Sequence, residues 1–330
     1  MAPDGIDGPR AGVVRHPAMT AYLIKKILLA IPVLFGMMLI TFLLLNVLPG
    51  DPVTLMMKEH ISVDVVARVR AQMHLDDPIA IRFLHFLGGA LTGDFGVSYK
   101  LNRPVSYLLA SAFPNTLILA LAAALVSWII GIPAGIVSAA RRGSALDNSL
   151  MGFSVLGVSM PVFWTGLLFQ YLFSLKLHLL PVAGFKGPEY LIMPAIVLGW
   201  SSAGTIARLT RSSLLEILRH DYIRTARAKG LTEGKVVTAH ALKNAMLPVV
   251  TVMALQVSGL LSGAVITESV FGIPGIGRIA VNAISSRDMP LLQGSVVLTT
   301  FLVVFGNLAA DIIYSYLDPR IRYGAQEAGK

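Results

Sequence analysis

Apolar residues fall into six long stretches that contain no charged side chain, separated by segments that do. The stretches are 27–49, 113–140, 148–175, 190–207, 244–267 and 289–310. Each has roughly the 17–25 residues that a helix needs to cross the hydrocarbon core of a bilayer. The pattern therefore predicts an all-α integral membrane protein with six transmembrane helices.

The same pattern divides the whole chain. We expect transmembrane helices at 21–49, 113–140, 148–176, 190–215, 247–268 and 293–315. The segments outside them are predicted to be a disordered tail at 1–20, an extracytoplasmic helical segment at 50–112, a cytoplasmic loop at 216–246, an extracytoplasmic loop with a short helix at 271–292, and a tail at 316–330.

The 63-residue segment 50–112 has helical patterning of its own. Ser62 is a suitable N-cap for a helix whose Val65 and Met73 share one face. Asp77-Pro78 ends that helix, and a second helix is expected over Ile79–Leu91. These two helices predict a small extracytoplasmic lid packed on the membrane bundle.

Composition and charge support a membrane protein and orient it. Only 14% of the 330 residues are charged and the mean hydropathy is +0.71, far from the soluble average. Of the 27 Lys and Arg residues, 17 lie before the first uncharged stretch, between the second and third, between the fourth and fifth, and after the sixth. By the positive-inside rule both termini are predicted to be cytoplasmic. The chain has no cysteine, which excludes thiolate metal sites and Cys nucleophiles.

The basic stretch 221–248 interrupts the apolar pattern between the fourth and fifth spans. Ile223 and Ala226 share a helical face, and Gly230 is a suitable C′ residue at positive φ. Thr232 is then placed to cap a second helix. Two short helices meeting at a glycine corner predict a compact knob for docking a partner. A solvated loop kept basic by the positive-inside effect is an equal alternative.

Other chemistry finds little support in the residues. Gly230–Val237 has a Gly-Lys pair, but its spacing is one residue short of a phosphate-binding loop and Val236 stands where Ser or Thr must reach Mg²⁺. An intramembrane serine protease needs a histidine inside a span, and none of the seven lies in an uncharged stretch. A proton-coupled carrier needs an ionisable group in the bundle, which these stretches also lack.

Several motifs give the chain a specific resemblance. They are LPGDPV at 48–53, GDFGVS at 93–98, GIPAGI at 131–136, TRSSLLEILRHDYIRTARAKGL at 210–231, HALKNAMLPVVTV at 240–252, GAVITESVFGIPGIGR at 263–278 and DPRIRYG at 318–324. In this order they resemble the dipeptide/oligopeptide/nickel family of ABC-transporter permeases. Residues 216–246 look like the EAA loop of such permeases, here called the coupling loop. Arg224 and Lys243 depart from the general EAA pattern in the way that the peptide branch does.

The resemblance implies a type I ABC importer permease fold and a set of partners. These are a second permease subunit, related and not identical, two cytoplasmic ABC ATPase subunits, and an extracytoplasmic substrate-binding protein. It implies no cofactor in this chain, with ATP and Mg²⁺ bound by the ATPases. Di- or oligopeptides are the expected cargo, with nickel chelates or glutathione-like peptides as alternatives. An ATP-independent carrier or channel is the alternative class.

The resemblance also implies two groups of functional residues. Contacts with the ATPase are expected from Asp221, Arg224, Thr225, Ala226, Arg227, Gly230, Leu231, His240 and Asn244. An extracytoplasmic gate or binding-protein contact is expected from Glu268, Phe271, Pro274, Gly275, Arg278 and Asp288. For Glu268 an ordinary role as an interfacial acid is the alternative.

The missing phosphate-binding loop gives the first prediction. The purified chain alone is expected to hydrolyse no ATP, and hydrolysis is expected only when its partner subunits are added. A phosphate-release assay on the chain, with a preparation from cells lacking the chain as the control for contaminants, measures this. Turnover by the isolated chain above that control contradicts the prediction.

Overall fold

The computed structural model of the protein describes residues 17–47 and 76–317. Both ranges are mainly helical, and the described residues contain no strand. The helices are α1 (Pro17–Val47), α2 (Ile79–Thr92), α3 (Val105–Ala140), α4 (Ala145–Ser159), α5 (Val162–Phe169), α6 (Glu189–Ile217), α7 (Asp221–Ala228), α8 (Glu233–Lys235), α9 (Leu242–Gly263), α10 (Val265–Phe271), α11 (Ile276–Ser286) and α12 (Met289–Leu317). π-Helical turns at Gln170–Lys176 continue α5, and turns at Val236–Ala241 join α8 to α9.

Five of the described helical stretches are long and apolar enough to cross a membrane. They are Ile24–Leu44, Val105–Ala140, Glu189–Ile217, Glu233–Leu261 and Met289–Ile312. The pair α4 and α5 gives a sixth if its two halves are counted as one broken span. The predicted fold class, an all-α membrane protein, is confirmed.

The third predicted span, 148–176, differs most from a continuous helix. Its two halves meet at an angle of 104°. The bend lies at Pro161, which has no N–H to donate and disfavours the helical region at Met160, whose backbone is extended. Pro32, Pro133 and Pro194 lie inside continuous helices. Pro161 is therefore the proline at which a span is broken.

The segment before the second span is partly helical, as expected. α2 ends at Gly93, which adopts the left-handed conformation typical of a helix C-terminus. Its Phe83 ring lies 5.7 Å from Phe35 and 5.3 Å from Phe42, so α2 packs on α1. α3 starts at Val105 after Pro104, so the second span begins before residue 113. The helix expected near 62–73 lies outside the described residues.

α3 and α6 form the centre of the bundle and have the most extensive contact of any described helix pair. Gly131 and Gly135 on α3 lie so close to α6 that an added Cβ would stand 2.8 Å from the Ala203 carbonyl oxygen and 2.6 Å from that of Ala207. Small residues let helix backbones approach closely in membranes, where packing replaces the hydrophobic effect. This pair positions both ends of the bundle.

Candidate functional site

The coupling loop is folded onto the end of the bundle. Ile223 and Ala226, on one face of α7, are buried. They belong to an apolar cluster with residues from the end of α3, the end of α6, the turns before α9 and the start of α9, namely Ala139, Leu214, Val236, Val237, Ala241 and Ala245. The loop is therefore a packed knob and not a loose solvated loop, while its docking of a partner stays a prediction.

Gly230 makes the corner between α7 and α8. Its φ is +79°, and it is exposed with no neighbouring atom within 4 Å of where a Cβ would stand. The predicted left-handed conformation is confirmed. The backbone conformation alone explains why this residue is a glycine, because residues that carry a Cβ are strained at positive φ.

Arg227 holds the two sides of this corner together. Its guanidinium donates to both carboxylate oxygens of Glu233, at 2.6 and 3.0 Å. It also donates to the Leu218 carbonyl oxygen at 3.5 Å. A bidentate pair fixes orientation even where solvent weakens its energy. The resemblance assigned Arg227 to the ATPase contact, but its guanidinium pairs with Glu233 of the same chain.

Ala226 also has a different environment from the one expected. The resemblance assigned it to the ATPase contact, but its side chain is 6% exposed and faces the chain's own core. A larger residue here would displace α7 from the bundle. Its size is explained by packing inside the knob.

Other coupling residues lie on the outer surface of the knob. Asp221, Arg224 and Thr225 are exposed, and the first two form an ion pair of 3.6 Å one turn apart. His240 is exposed as well, and Leu231 packs on the edge of the apolar cluster.

Asn244 and Tyr222 join the two arms of the knob. The Asn244 side-chain amide donates to the Tyr222 hydroxyl at 2.9 Å. Tyr222 was missed because its partner lies 22 residues away. Thr232 precedes α8 as expected, but its hydroxyl makes no capping hydrogen bond.

A buried ion pair beside the knob was also missed. Asp147, on α4, is 2% exposed and accepts from Arg211 on α6 through two hydrogen bonds of 2.9 Å. Ser138 on α3 donates to the same carboxylate. The spacing Ser144-x-x-Asp147 was an available signal, since Ser144 caps α4 by accepting from the Asp147 N–H.

The predicted gate residues gather at the opposite end of α3. Glu268 is fully buried, so it is not an interfacial acid. Its carboxylate accepts from the Thr116 hydroxyl at 2.6 Å and from the Arg278 N–H at 3.0 Å, while the Ile276 N–H donates to Thr116. The free N–H groups at the start of α11 are thereby satisfied by a carboxylate and a hydroxyl, which also suits the helix dipole.

The rest of this group is built into the same scaffold. The Arg278 guanidinium donates to the Gly272 carbonyl oxygen, and Phe271 is buried. Gly275 leaves room for Glu268, because any Cβ there would overlap its carboxylate. Pro274 is exposed and accepts from the Asn115 amide at 2.9 Å.

Asp288 holds a second junction at this end. Buried at 1% exposure, it accepts from the Ser98 hydroxyl and from the N–H groups of Tyr99 and Lys100. It also accepts from the Leu291 N–H and so caps α12. Burial, and then the Asp288 carboxylate, raise the pKa of the Tyr99 hydroxyl to about 12. Together, the buried members of the group form a scaffold around the exposed Pro274.

A polar cluster lies between the two ends. The Gln256 amide on α9 donates to the Ser127 hydroxyl at 2.8 Å and accepts from the Trp128 indole at 3.2 Å. Ser127 is fully buried in the middle of α3. This cluster could not be predicted from the sequence, because none of its groups is charged. It is the polar contact between α3 and α9 in the described part of the bundle.

Comparison with known proteins agrees with this architecture. Residues 131–323 match the family described as binding-protein-dependent transport system inner membrane component, and residues 19–120 match its N-terminal family. The chain is 39% identical to the dipeptide transport system permease protein DppB of Escherichia coli (strain K12), over 92% of this chain and 99% of that protein. It is 40% identical to the di/tripeptide permease protein DppB of Pseudomonas aeruginosa (strain UCBPP-PA14), with the same coverage.

Two further matches extend the comparison. The chain is 40% identical to the glutathione transport system permease protein GsiC of Escherichia coli (strain K12), over 92% of this chain and all of that protein. An inward-facing structure of the MetNI methionine ABC transporter aligns with a TM-score of 0.55 at 20% identity, covering 64% of this chain and 97% of that one. This structural similarity shows that the two chains share a fold.

The apolar helical bundle and the similarity over almost the whole chain together define the class of protein, a membrane component of a transport system. The chain belongs to the family of inner membrane components of binding-protein-dependent transport systems. The resemblance found in the motifs is confirmed. The chain is therefore a multi-pass inner-membrane protein of a family whose ATPase activity lies in partner subunits.

The scaffold around Glu268 gives a prediction about stability. Gly275→Ala is expected to push the Glu268 carboxylate off its donors and to destabilise the protein by about 1–3 kcal/mol, as overpacking does. Gly152→Ala is the matched control, because a Cβ there meets no atom within 4 Å. Thermal unfolding in detergent, followed by circular dichroism, should show a lower midpoint for the first variant only. Equal midpoints would contradict the tight packing described.

Proposed function

We propose that this chain is the permease subunit of an ATP-driven importer and forms the pathway for di- and oligopeptides. The proposal is carried by the end-to-end similarity to the di- and tripeptide permeases named above, at 39–40% identity over 92% of the chain. The cargo is delivered by an extracytoplasmic binding protein. Glutathione, itself a tripeptide, is the second candidate because the GsiC protein is equally similar. Nickel chelates are a third cargo within the family.

The proposed assembly has two permease chains, this one and a related second subunit, above two ATPase subunits. The ATPases bind ATP and Mg²⁺, and this chain contributes no cofactor and no catalytic group. The coupling loop fits this role because its outer surface, with Asp221, Arg224 and Thr225, is free of the chain's own core. Its inner face ties any movement of the knob to α3, α6 and α9.

Uptake by the reconstituted transporter tests the cargo. Vesicles containing this chain with its partner ATPases, second permease and binding protein should take up a labelled dipeptide in the presence of ATP. Labelled glutathione in parallel vesicles separates the two cargoes. Uptake of glutathione without uptake of any di- or oligopeptide would assign the chain to the second candidate.

The proposed orientation places both termini and the coupling loop in the cytoplasm. Because the chain has no cysteine, single cysteines give a clean test. Lys100→Cys and Lys229→Cys replace exposed residues at opposite ends of the bundle. An impermeant maleimide added to intact cells should label the first variant and reach the second only after the membrane is opened. Labelling of both from the same side contradicts the orientation.

The corner at Gly230 tests the coupling role. Gly230→Val is expected to misplace α8, since a β-branched residue is strained at positive φ, and to abolish most of the ATP hydrolysis stimulated by loaded binding protein. Gly230→Asn, which tolerates this conformation better, should retain more. Gly234→Val is the control, because Gly234 is exposed in the same knob with ordinary φ. Normal stimulation in Gly230→Val at equal expression would refute the role.

A further inference from the structure

A groove of about 370 Å³ lies at the surface of the bundle between α3, α4 and α6. Its floor is made of small residues, among them Gly131, Ala203 and Gly204, and its walls include Ile130, Leu146 and Phe153. The lining is almost entirely apolar. The groove lies outside the coupling loop and the scaffold around Glu268.

The shape of the groove follows from the close contact of the helices. Gly204 packs against the Ser154 carbonyl and Gly131 against Ile206, so neither position has room for a side chain. Larger side chains on both sides stay partly exposed, at 37% for Ile130, 38% for Leu146 and 52% for Phe153. A depression with an apolar floor and exposed apolar walls therefore remains.

The groove runs along the half of the bundle that is nearer to the coupling loop. Its α3 residues extend from Ile130 to Val137, which is about 10 Å of helix. One leaflet of the hydrocarbon core is about 15 Å thick. The groove thus covers roughly two thirds of one leaflet.

Exposed basic residues lie close in the chain to the residues at one end of the groove. Val137 and Leu146, which both line it, stand on either side of the connection that carries Arg141 and Arg142. Both arginines are exposed, and so is Arg208, which follows the lining residue Ala207 on α6. The nearest acid, Asp147, is buried and held by Arg211, so it does not neutralise them.

We propose that this groove binds an acyl chain of an anionic phospholipid, with the lipid phosphate on Arg141 and Arg142. An apolar groove between membrane helices with arginines at its mouth matches both parts of such a molecule, and basic pockets of this kind favour anionic head groups. Inorganic phosphate has no apolar part that would bind to the floor of the groove. A zwitterionic phospholipid also carries a phosphate, but its ammonium group is repelled by the same arginines, so an anionic head group is favoured. The residues that line the site are not among those predicted for the ATPase contact.

Quenching of Trp200 fluorescence tests the proposal, since Trp200 lines the groove and stacks on Phe153 with ring centroids 4.8 Å apart. Trp128→Phe and Trp164→Phe leave it as the single tryptophan of the chain. The full chain is reconstituted in vesicles containing either phosphatidylglycerol or phosphatidylcholine brominated in the acyl chains. At equal mole fraction, brominated phosphatidylglycerol should quench Trp200 more strongly than brominated phosphatidylcholine does.

Variants separate the head group from the acyl chain. Arg141→Ser and Arg142→Ser should each reduce the preference for phosphatidylglycerol about fivefold. Arg219→Ser, which removes an exposed charge from the same end of the bundle, should leave it unchanged. Ala134→Leu should fill part of the groove and reduce quenching by both lipids. Excess inorganic phosphate should not compete.

Three results would overturn the proposal. Equal quenching by both brominated lipids would mean an ordinary lipid-facing surface without a head-group site. No quenching by either lipid would mean that acyl chains do not enter. In the transporter assembled with its partner subunits, native mass spectrometry should find phosphatidylglycerol bound to the parent chain and lost in Arg141→Ser/Arg142→Ser. Its absence from the parent complex would mean that a second subunit covers the groove.

Discussion

The close approach of α3 and α6 is the contact on which the rest of the bundle depends. In a bilayer, lipid tails are as apolar as leucine, so helices are held by dispersion and by contacts between backbones. Gly131 and Gly135 bring α3 against α6, and Gly199 on α6 packs in return on the Ala123 carbonyl. Because these contacts are spread over several helical turns, the two helices are held along their length and not at one point.

The same helix pair organises the polar groups at both ends. Near its start α3 contributes Thr116 to the Glu268 carboxylate, and near its end it contributes Ser138 to Asp147. Each acid is buried, and a buried charge is tolerated only when it is paired or well hydrogen-bonded. At one end the compensation comes from the start of α11, and at the other from Arg211 on α6. Two acids just beyond the uncharged stretches thus lock neighbouring helices to α3.

The sequence predicted what depends on local chemistry. The uncharged stretches mark the spans, and Gly230 has the positive φ expected of a helix C′ residue. The position of the bend at Pro161 could not be predicted from the sequence, because other prolines in the spans lie inside continuous helices. A proline breaks a helix only where neighbouring helices do not hold the chain straight, and that is decided by tertiary packing.

The functional residues were harder to place than the helices, for a related reason. Helical periodicity shows that Ile223 and Ala226 share a face, but it does not show whether that face meets a partner or the chain's own core. Likewise, the sequence identified Arg227 as a charge on the knob and could not pair it with Glu233, six residues away across a turn. The burial and pairing of these groups depend on where α7 rests, which only the folded bundle determines.

The burial of one face of α7 has a consequence for coupling. Had α7 been a free loop, a force on it would bend the loop and leave the bundle unchanged. Ile223 and Ala226 instead share a core with Ala139 on α3 and Leu214 on α6, and interiors packed at this density transmit strain. We therefore expect a movement imposed on the exposed surface of the knob to reach α3 and α6 through this shared core.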